Sequence, residues 1–305
     1  MIICVGEILA DMIGSEKDGA FVYERKAGGA PFNVACGIKK FGGKAKFAGS
    51  VGADLIGDFL TEFAADRGLD GLIIDRQNDA NTTLAFVQLD GCGERSFCFY
   101  RKNTADYRLP RLSDDVLKEV NIVHVGSLML SEDCGLDYAE NLIKRAHSLN
   151  KTVSFDVNFR SDIFRDERAA TERYRAILEL ADVLKFSEDE IGIFGEEYIN
   201  SKLNEKLICI SLGADGSEWR YCGNRGKVKS ISVKPVDTTG AGDAFFAGIL
   251  CGIDGVPKSG WTESFLNGVL ARANVCGALA TLGKGAIDCL PDASRIDEAL
   301  GQIKS

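Results

Sequence analysis

Short apolar runs alternate along this chain with longer stretches in which apolar side chains return every three or four residues. The runs at 2–5, 45–51, 122–126, 152–156, 183–186 and 207–211 predict strands, and the stretches at 57–67, 136–149 and 169–180 carry the helical period. Strand and helix taking turns is the rhythm of a mostly parallel, doubly wound α/β sheet, whose ligands sit beyond the carboxyl ends of its strands. Segments 156–160 and 237–243 fall at such ends. One region breaks the rhythm: 82–89 and 95–101 are two strand patterns joined by 90–94 with no helix between, which predicts a hairpin. With the stretch around 21–26 it makes a small sheet outside the main one. No Pro-rich or Ser-rich linker sets that sheet apart, so residues 1–305 read as one domain with an insertion from about 12–27 and 82–104.

Composition narrows the chemistry. The 305 residues are 45% hydrophobic, enough for a full core, and the formal net charge of -9 without any Lys/Arg run argues against nucleic acid or an anionic membrane surface as partner. Ten cysteines are scattered without a CxxC pair, and no leader peptide is read, which points to a reducing cytoplasm. Cys4, Cys209, Cys251 and Cys276 lie in apolar surroundings as small core residues. The apolar stretches are too short to span a bilayer. With His124 and His147 the only imidazoles, His-metal clusters and Ser-His-Asp or Cys-His machinery are disfavoured, and any general base is expected to be a carboxylate. Neither GxxxxGK[ST] nor a GxGxxG after the first strand is present, so P-loop and dinucleotide-binding readings lack their central feature.

The most informative segment is Asp237-Thr238-Thr239-Gly240-Ala241-Gly242-Asp243. It follows the alternating run 230–236, which predicts a half-buried strand, and it opens the apolar helical run 244–250. Gly240 and Gly242 allow close approach of backbone to a ligand, and the unpaired first-turn N–H groups favour an anion. Asp243, in that same first turn, is expected to stay ionised by the helix dipole and to accept a proton from an attacking hydroxyl. Cradle plus base is the equipment of phosphoryl transfer. Near the N-terminus, Gly28 and Gly29 bring bare backbone to a helix that starts around Pro31, with Asn33 one turn in as donor and acceptor. Asp156, Asn158 and Arg160 alternate at a strand end and so lean to one face, where the guanidinium can hold a phosphoryl group and Asn158 can serve sugar or phosphates.

These motifs carry a resemblance. The 237–243 segment resembles the C-terminal signature of the ribokinase-like (PfkB-type) sugar kinases, and Gly28-Gly29-Ala30-Pro31-Phe32-Asn33-Val34-Ala35 resembles their N-terminal one; fructokinases are the most similar branch. The resemblance continues through Phe99-Tyr100-Arg101, 156–160 and Lys185-Phe186-Ser187-Glu188-Asp189-Glu190, covering nearly the whole chain. It implies a ribokinase-like fold in which the small sheet is a lid over the sugar. It implies that Asp11, Gly28, Gly29, Asn33 and Arg101 bind sugar, with Asp243, Gly240, Ala241, Gly242 and Arg160 catalytic. ATP would meet Lys185, Ser187, the turn at Ser211, Gly213 and Gly216, and Asn274. Glu190 would organise Mg²⁺ through water, although Ser187 stands where many members have Asn. Asp237, Thr239 and carbonyls near Gly283 and Gly285 match a monovalent-cation (K⁺) site, and a homodimer through the lid is implied. The expected reaction is ATP-dependent phosphorylation of a sugar hydroxymethyl group, fructose first. Alternatives are 2-keto-3-deoxygluconate, ribose or a nucleoside as acceptor, or a non-catalytic sugar-binding protein.

Overall fold

The strand that opens the chain, β1 (Ile2–Val5), is buried along its whole length because it runs through the middle of a sheet covered on both faces. Its side chains alternate between two cores: Ile2 and Cys4 join one, Ile3 and Val5 the other. The chain then leaves the sheet for β2 (Leu9–Lys17) and β3 (Ala20–Gly28) and returns by α1 (Ala30–Lys40), β4 (Ala45–Gly52), α2 (Leu55–Ala65) and β5 (Gly71–Gln77). A hairpin, β6 (Leu84–Leu89) and β7 (Arg95–Tyr100), precedes α3 (Asp114–Lys118) and the run β8 (Ile122–Val125), α4 (Asp133–Ser148), β9 (Thr152–Asp156), α5 (Glu167–Leu180), β10 (Val183–Ser187). Then come α6 (Glu188–Phe194), α7 (Glu196–Lys202), β11 (Leu207–Ser211), β12 (Ser217–Tyr221), β13 (Asn224–Val228), α8 (Ala241–Ile253), α9 (Glu263–Ala280) and α10 (Ala293–Lys304). This computed structural model describes residues 1–89, 95–160, 163–164 and 166–304; the hairpin connection read at 90–94 lies outside the described residues.

Nine strands form the main sheet in the order β13-β12-β11-β10-β9-β8-β1-β4-β5, parallel from β11 through β5, with β12 and β13 antiparallel at one edge. Strand order reverses between β1 and β8: the chain builds outward through β4 and β5 on one side, then comes back to start β8 on the other. That reversal is the switch point at which doubly wound sheets open a crevice at their carboxyl ends. Four strands, β3-β2-β6-β7, make the predicted second sheet. One of its faces carries Asp11, Ile13, Glu24, Lys26 and Val87 into a cavity shared with the 235–239 and 284–285 segments. The other face carries Phe21, Tyr23, Phe86 and Tyr100, packed ring to ring at 5.0–5.3 Å.

One predicted strand is absent. Residues 230–236 pair with no neighbour; they run as an extended segment whose alternating exposure imitates a half-buried strand, and Pro235 has no N–H to give a ladder. Val236 and Asp237 instead donate their N–H groups to the Thr281 carbonyl at 2.8 and 3.1 Å. Among the described residues no cysteine forms a disulfide, and no helix is long and apolar enough to cross a membrane.

Candidate active site

α8 starts where Gly240, in the left-handed region at φ 75°, turns the chain into the helix. A Cβ there would lie 2.6 Å from Ala286 Cβ, so packing as well as backbone conformation requires glycine. Thr239 is fixed from behind by Asp237, whose Oδ1 accepts from the Thr239 N–H at 2.8 Å and hydroxyl at 2.7 Å, while Oδ2 accepts from the Gly285 N–H at 3.0 Å. The thirteen-residue helix therefore starts on a braced turn, in which the Ala241 N–H donates to the Thr238 carbonyl at 3.2 Å.

Two cavities meet at that turn, and Gly242 lines both. The first, about 210 Å³, is also bounded by Asp11, Gly29, Asn33, Asn158, Arg160 and Asp243. The second, about 390 Å³, is bounded by Ser211, Gly213 and Gly216 on one side, Asn274, Gly277 and Ala278 on another, and by the extended 230–235 segment. One is lined by hydrogen-bonding side chains, the other mainly by glycines, alanines and apolar groups. Asp243 lies on the first side and Ala241 on the second.

Asn33, one turn into α1, donates from Nδ2 to Asp243 Oδ2 at 2.8 Å, so the two signatures, 210 residues apart, touch. Desolvation pushes the Asp243 carboxyl above its ordinary range; the Asn33 hydrogen bond and the charges of Lys185 and Arg160 pull it back. Desolvation, the largest influence, thus acts against the ionised form that the sequence expects the helix dipole to keep, while the Asn33 hydrogen bond and the two cations act for it. Lys185 lies behind Gly242, with Nζ 3.3 Å from where a Cβ on that glycine would be, and forms a buried ion pair with Asp156 at 3.0 Å. Burial disfavours its ammonium, but Asp156, Glu190 and Asp243 outweigh this and hold it protonated.

Strand geometry ends at Asp156, and Asn158 adopts φ 35°, so simple alternation does not extend to Arg160. Asn158 and Arg160 nevertheless line the first cavity, Val157 and Phe159 pack inward, and Asp156 points to Lys185 rather than into the cavity. Glu190 holds this turn. Its Oε1 accepts from the Phe159 N–H at 2.7 Å and Oε2 from the Ser187 N–H at 2.6 Å, while Ser187 Oγ accepts from the Glu190 N–H. Ser187 and Glu190 are therefore a capping box on α6. Each Glu190 oxygen keeps a second lone pair, so the residue fits a role in accepting from metal-bound water.

Asp11 lines the first cavity from β2, and Gly28 makes its room: a Cβ at Gly28 would fall 2.2 Å from Asp11 Oδ2. Gly28 itself does not line the cavity. Gly29, at φ 109°, is the N-cap of α1. In the second cavity Gly216 is required by the turn, since a Cβ there would lie 2.1 Å from the Val228 carbonyl oxygen, and Asn274 ties α9 to that carbonyl at 2.9 Å.

Arg101 is placed differently from expectation. Its Nε donates to Asp106 at 2.7 Å, one terminal nitrogen to Ser131 Oγ at 2.7 Å and the other to the Leu128 carbonyl at 3.0 Å, and it does not line the first cavity; Phe99 does. The guanidinium braces the wall against a buried Asp106 that also accepts from Thr83 and Thr104. A residue that sequence patterning passed over lies on the cavity instead. Glu7 is 1% exposed, and neither carboxyl oxygen accepts from another described residue. A charged residue one position beyond a wholly apolar strand, after Gly6, was the available signal.

Comparison with known proteins agrees with this geometry. Residues 1–293 match the pfkB family carbohydrate kinase profile. The chain is 34% identical to a protein named probable fructokinase-7 of Arabidopsis thaliana, covering 100% of this chain and 94% of the relative. It is similar to the structure of a fructokinase with bound ATP from Xylella fastidiosa, with a TM-score of 0.93, 30% identity and coverage of 100% and 99% of the two chains. It is also similar to a fructokinase from Vibrio cholerae in a form with fructose, ADP and calcium ion, with a TM-score of 0.83, 30% identity and 97% of each chain covered. The fold is ribokinase-like, and the chain belongs to the pfkB family of carbohydrate kinases.

Proposed function

We propose that this protein is an ATP-dependent fructokinase that transfers the γ-phosphoryl group to a hydroxymethyl oxygen, converting fructose to fructose 6-phosphate. The observation that carries the proposal is the junction of the two cavities at Gly242, with Asp243 on the polar side and the first turn of α8 between. Sugar occupies the polar cavity, held by Asp11 and Asn33; adenosine occupies the other, and the phosphates lie along the Gly240–Asp243 turn. Asp243 takes the hydroxyl proton as the oxygen attacks in line, and Arg160 with the turn's N–H groups stabilises the charge spreading over the transferred phosphoryl oxygens. Lys185, kept protonated by its carboxylate neighbours, supplies a fixed positive charge behind that turn.

Mg²⁺, bound chiefly to nucleotide phosphates and reached through water by Glu190, would neutralise phosphate charge. A monovalent cation would settle beside Asp237 and the carbonyls of the 283–285 loop that Asp237 already holds. The proposal includes a homodimer through the lid, supported by Phe21, Tyr23 and Tyr100 at 50%, 47% and 62% exposure on its outer face. It also includes a cytoplasmic location, supported by thiol-rich composition in the core. The test is coupled detection of ADP across fructose, ribose, adenosine, 2-keto-3-deoxygluconate and fructose 6-phosphate. Fructose is expected to give the highest kcat/KM; another preferred acceptor would overturn the fructose assignment, and no ADP with any acceptor would overturn the kinase reading.

A further inference from the structure

Glu7 occupies the point where the fold makes its crevice. It follows β1 by one residue, and its carboxyl lies over the chain leaving β8: a Cβ built on Gly126 would be 2.8 Å from Oε2. β1 and β8 are the neighbours between which strand order reverses. The backbone at Gly29 is threaded against the same residue, since a Cβ there would fall 2.5 Å from the Glu7 carbonyl oxygen. So Glu7 is held in place at the cavity floor by both of its flanking segments.

A buried carboxyl ordinarily finds a hydrogen-bond donor, because leaving one without a partner costs free energy. Glu7 finds none on any other described residue, although Arg101 is near enough to influence it; that guanidinium is committed to Asp106, Ser131 and Leu128. Burial pushes the Glu7 carboxyl up to about 8, opposed by its own backbone N–H and Arg101 and reinforced by Asp106 and Asp243. It therefore keeps its proton to higher pH than an ordinary carboxyl, and in that form it can donate as well as accept. Such a group suits a sugar hydroxyl, which does both.

We propose that Glu7 is an acceptor-binding residue: its carboxyl hydrogen-bonds a hydroxyl of the sugar at the cavity floor and helps set which acceptors are taken. This rests on the kinase assignment of the same cavity. A site built to pair a particular hydroxyl rejects acceptors that lack it, because its own polar group is then left buried and unpaired.

A structural carboxylate and a ligand-binding one respond oppositely to Glu7→Met, which keeps length and removes polarity. As a ligand-binding group with no internal partner, Glu7 is expected to be replaceable without loss of Tm, while the fructose KM and directly measured Kd rise about tenfold and ATP affinity stays within twofold. Glu7→Gln, which retains donor and acceptor, is expected to recover fructose affinity to within about threefold. A fall in Tm with equal loss of both affinities, or an unchanged fructose Kd, would overturn the proposal. Should Glu7→Met not fold, monodeoxyfructoses assayed against Glu7→Ala decide: the penalty for one missing hydroxyl should vanish in the variant, and equal penalties at every position in both proteins would overturn it. Wild-type protein that neither phosphorylates nor binds any sugar would overturn the kinase assignment and this proposal together, whereas an active wild type with an unaltered variant overturns this proposal alone.

Discussion

Removing the amide of Asn33 should move the pH dependence of catalysis. Asn33 is 6% exposed and its Nδ2 donates to Asp243 Oδ2 at 2.8 Å, so no water can readily replace it. A hydrogen bond to a charged group is worth about 1.5–3 kcal/mol, and one pH unit corresponds to about 1.4 kcal/mol. The bond favours the ionised carboxylate; without it, burial raises the carboxyl further. A base works only when deprotonated, and activity is lost as pH falls through its folded-state pKa. Asn33→Ala is therefore expected to move the acidic limb of kcat/KM to higher pH by about one to two units, with partial recovery of rate above the new limb. The assay is kcat/KM for fructose at saturating ATP between pH 5 and 9, in overlapping buffers of about constant ionic strength, alongside Tm at each pH. A limb that stays in place while fructose KM rises uniformly would refute the reasoning and leave Asn33 as a sugar contact only.

Arg101→Ala should lower unfolding stability by about 3–5 kcal/mol in urea titration, because it leaves the 1% exposed Asp106 without its ion-pair partner; a change below about 1 kcal/mol would return Arg101 to a purely sugar-directed role. Gly240→Ala should cost about 1–2 kcal/mol for the left-handed backbone alone, with more from the contact with Ala286, and should lower kcat through displacement of the turn; unaltered Tm and kcat would show that the turn tolerates a side chain. Lys185→Met should weaken ATP binding by about tenfold or more, read by calorimetry, while fructose affinity changes less; equal loss of both would make the Lys185–Asp156 pair a support of the fold.

Much of the fold could be read from periodicity because parallel strands buried on both faces are continuous apolar runs; Thr152–Asp156 and Leu207–Ser211 have the expected limits. Polar, exposed strands were harder. β13, Asn224–Val228, has the composition of a loop, and becomes a strand only by pairing with β12 at the sheet edge. The false strand at 230–236 shows the converse, since an extended segment lying along a cavity alternates exposure with no ladder at all. At the site, glycine-rich turns were legible because few residue types satisfy their backbone demands. What sequence could not supply was pairing between distant residues. Arg101 follows a lid strand and could serve sugar or wall; Asp106, Ser131 and the Leu128 carbonyl decide where it sits. The Ser187-x-x-Glu190 spacing is also a helix-start pattern, and its capping geometry, with Glu190 reaching back to Phe159, was overlooked in favour of metal chemistry.

Single-turnover phosphoryl transfer by Asp243→Asn tests the central claim most directly. The substitution keeps size and the Asn33 contact partner while abolishing the base, so ATP and fructose should each bind within about threefold of wild type, and transfer of labelled γ-phosphate to fructose in the preformed complex should slow by at least ~10²-fold. Transfer at near the wild-type rate, with both ligands bound, would contradict the assignment of Asp243 as the group that takes the hydroxyl proton.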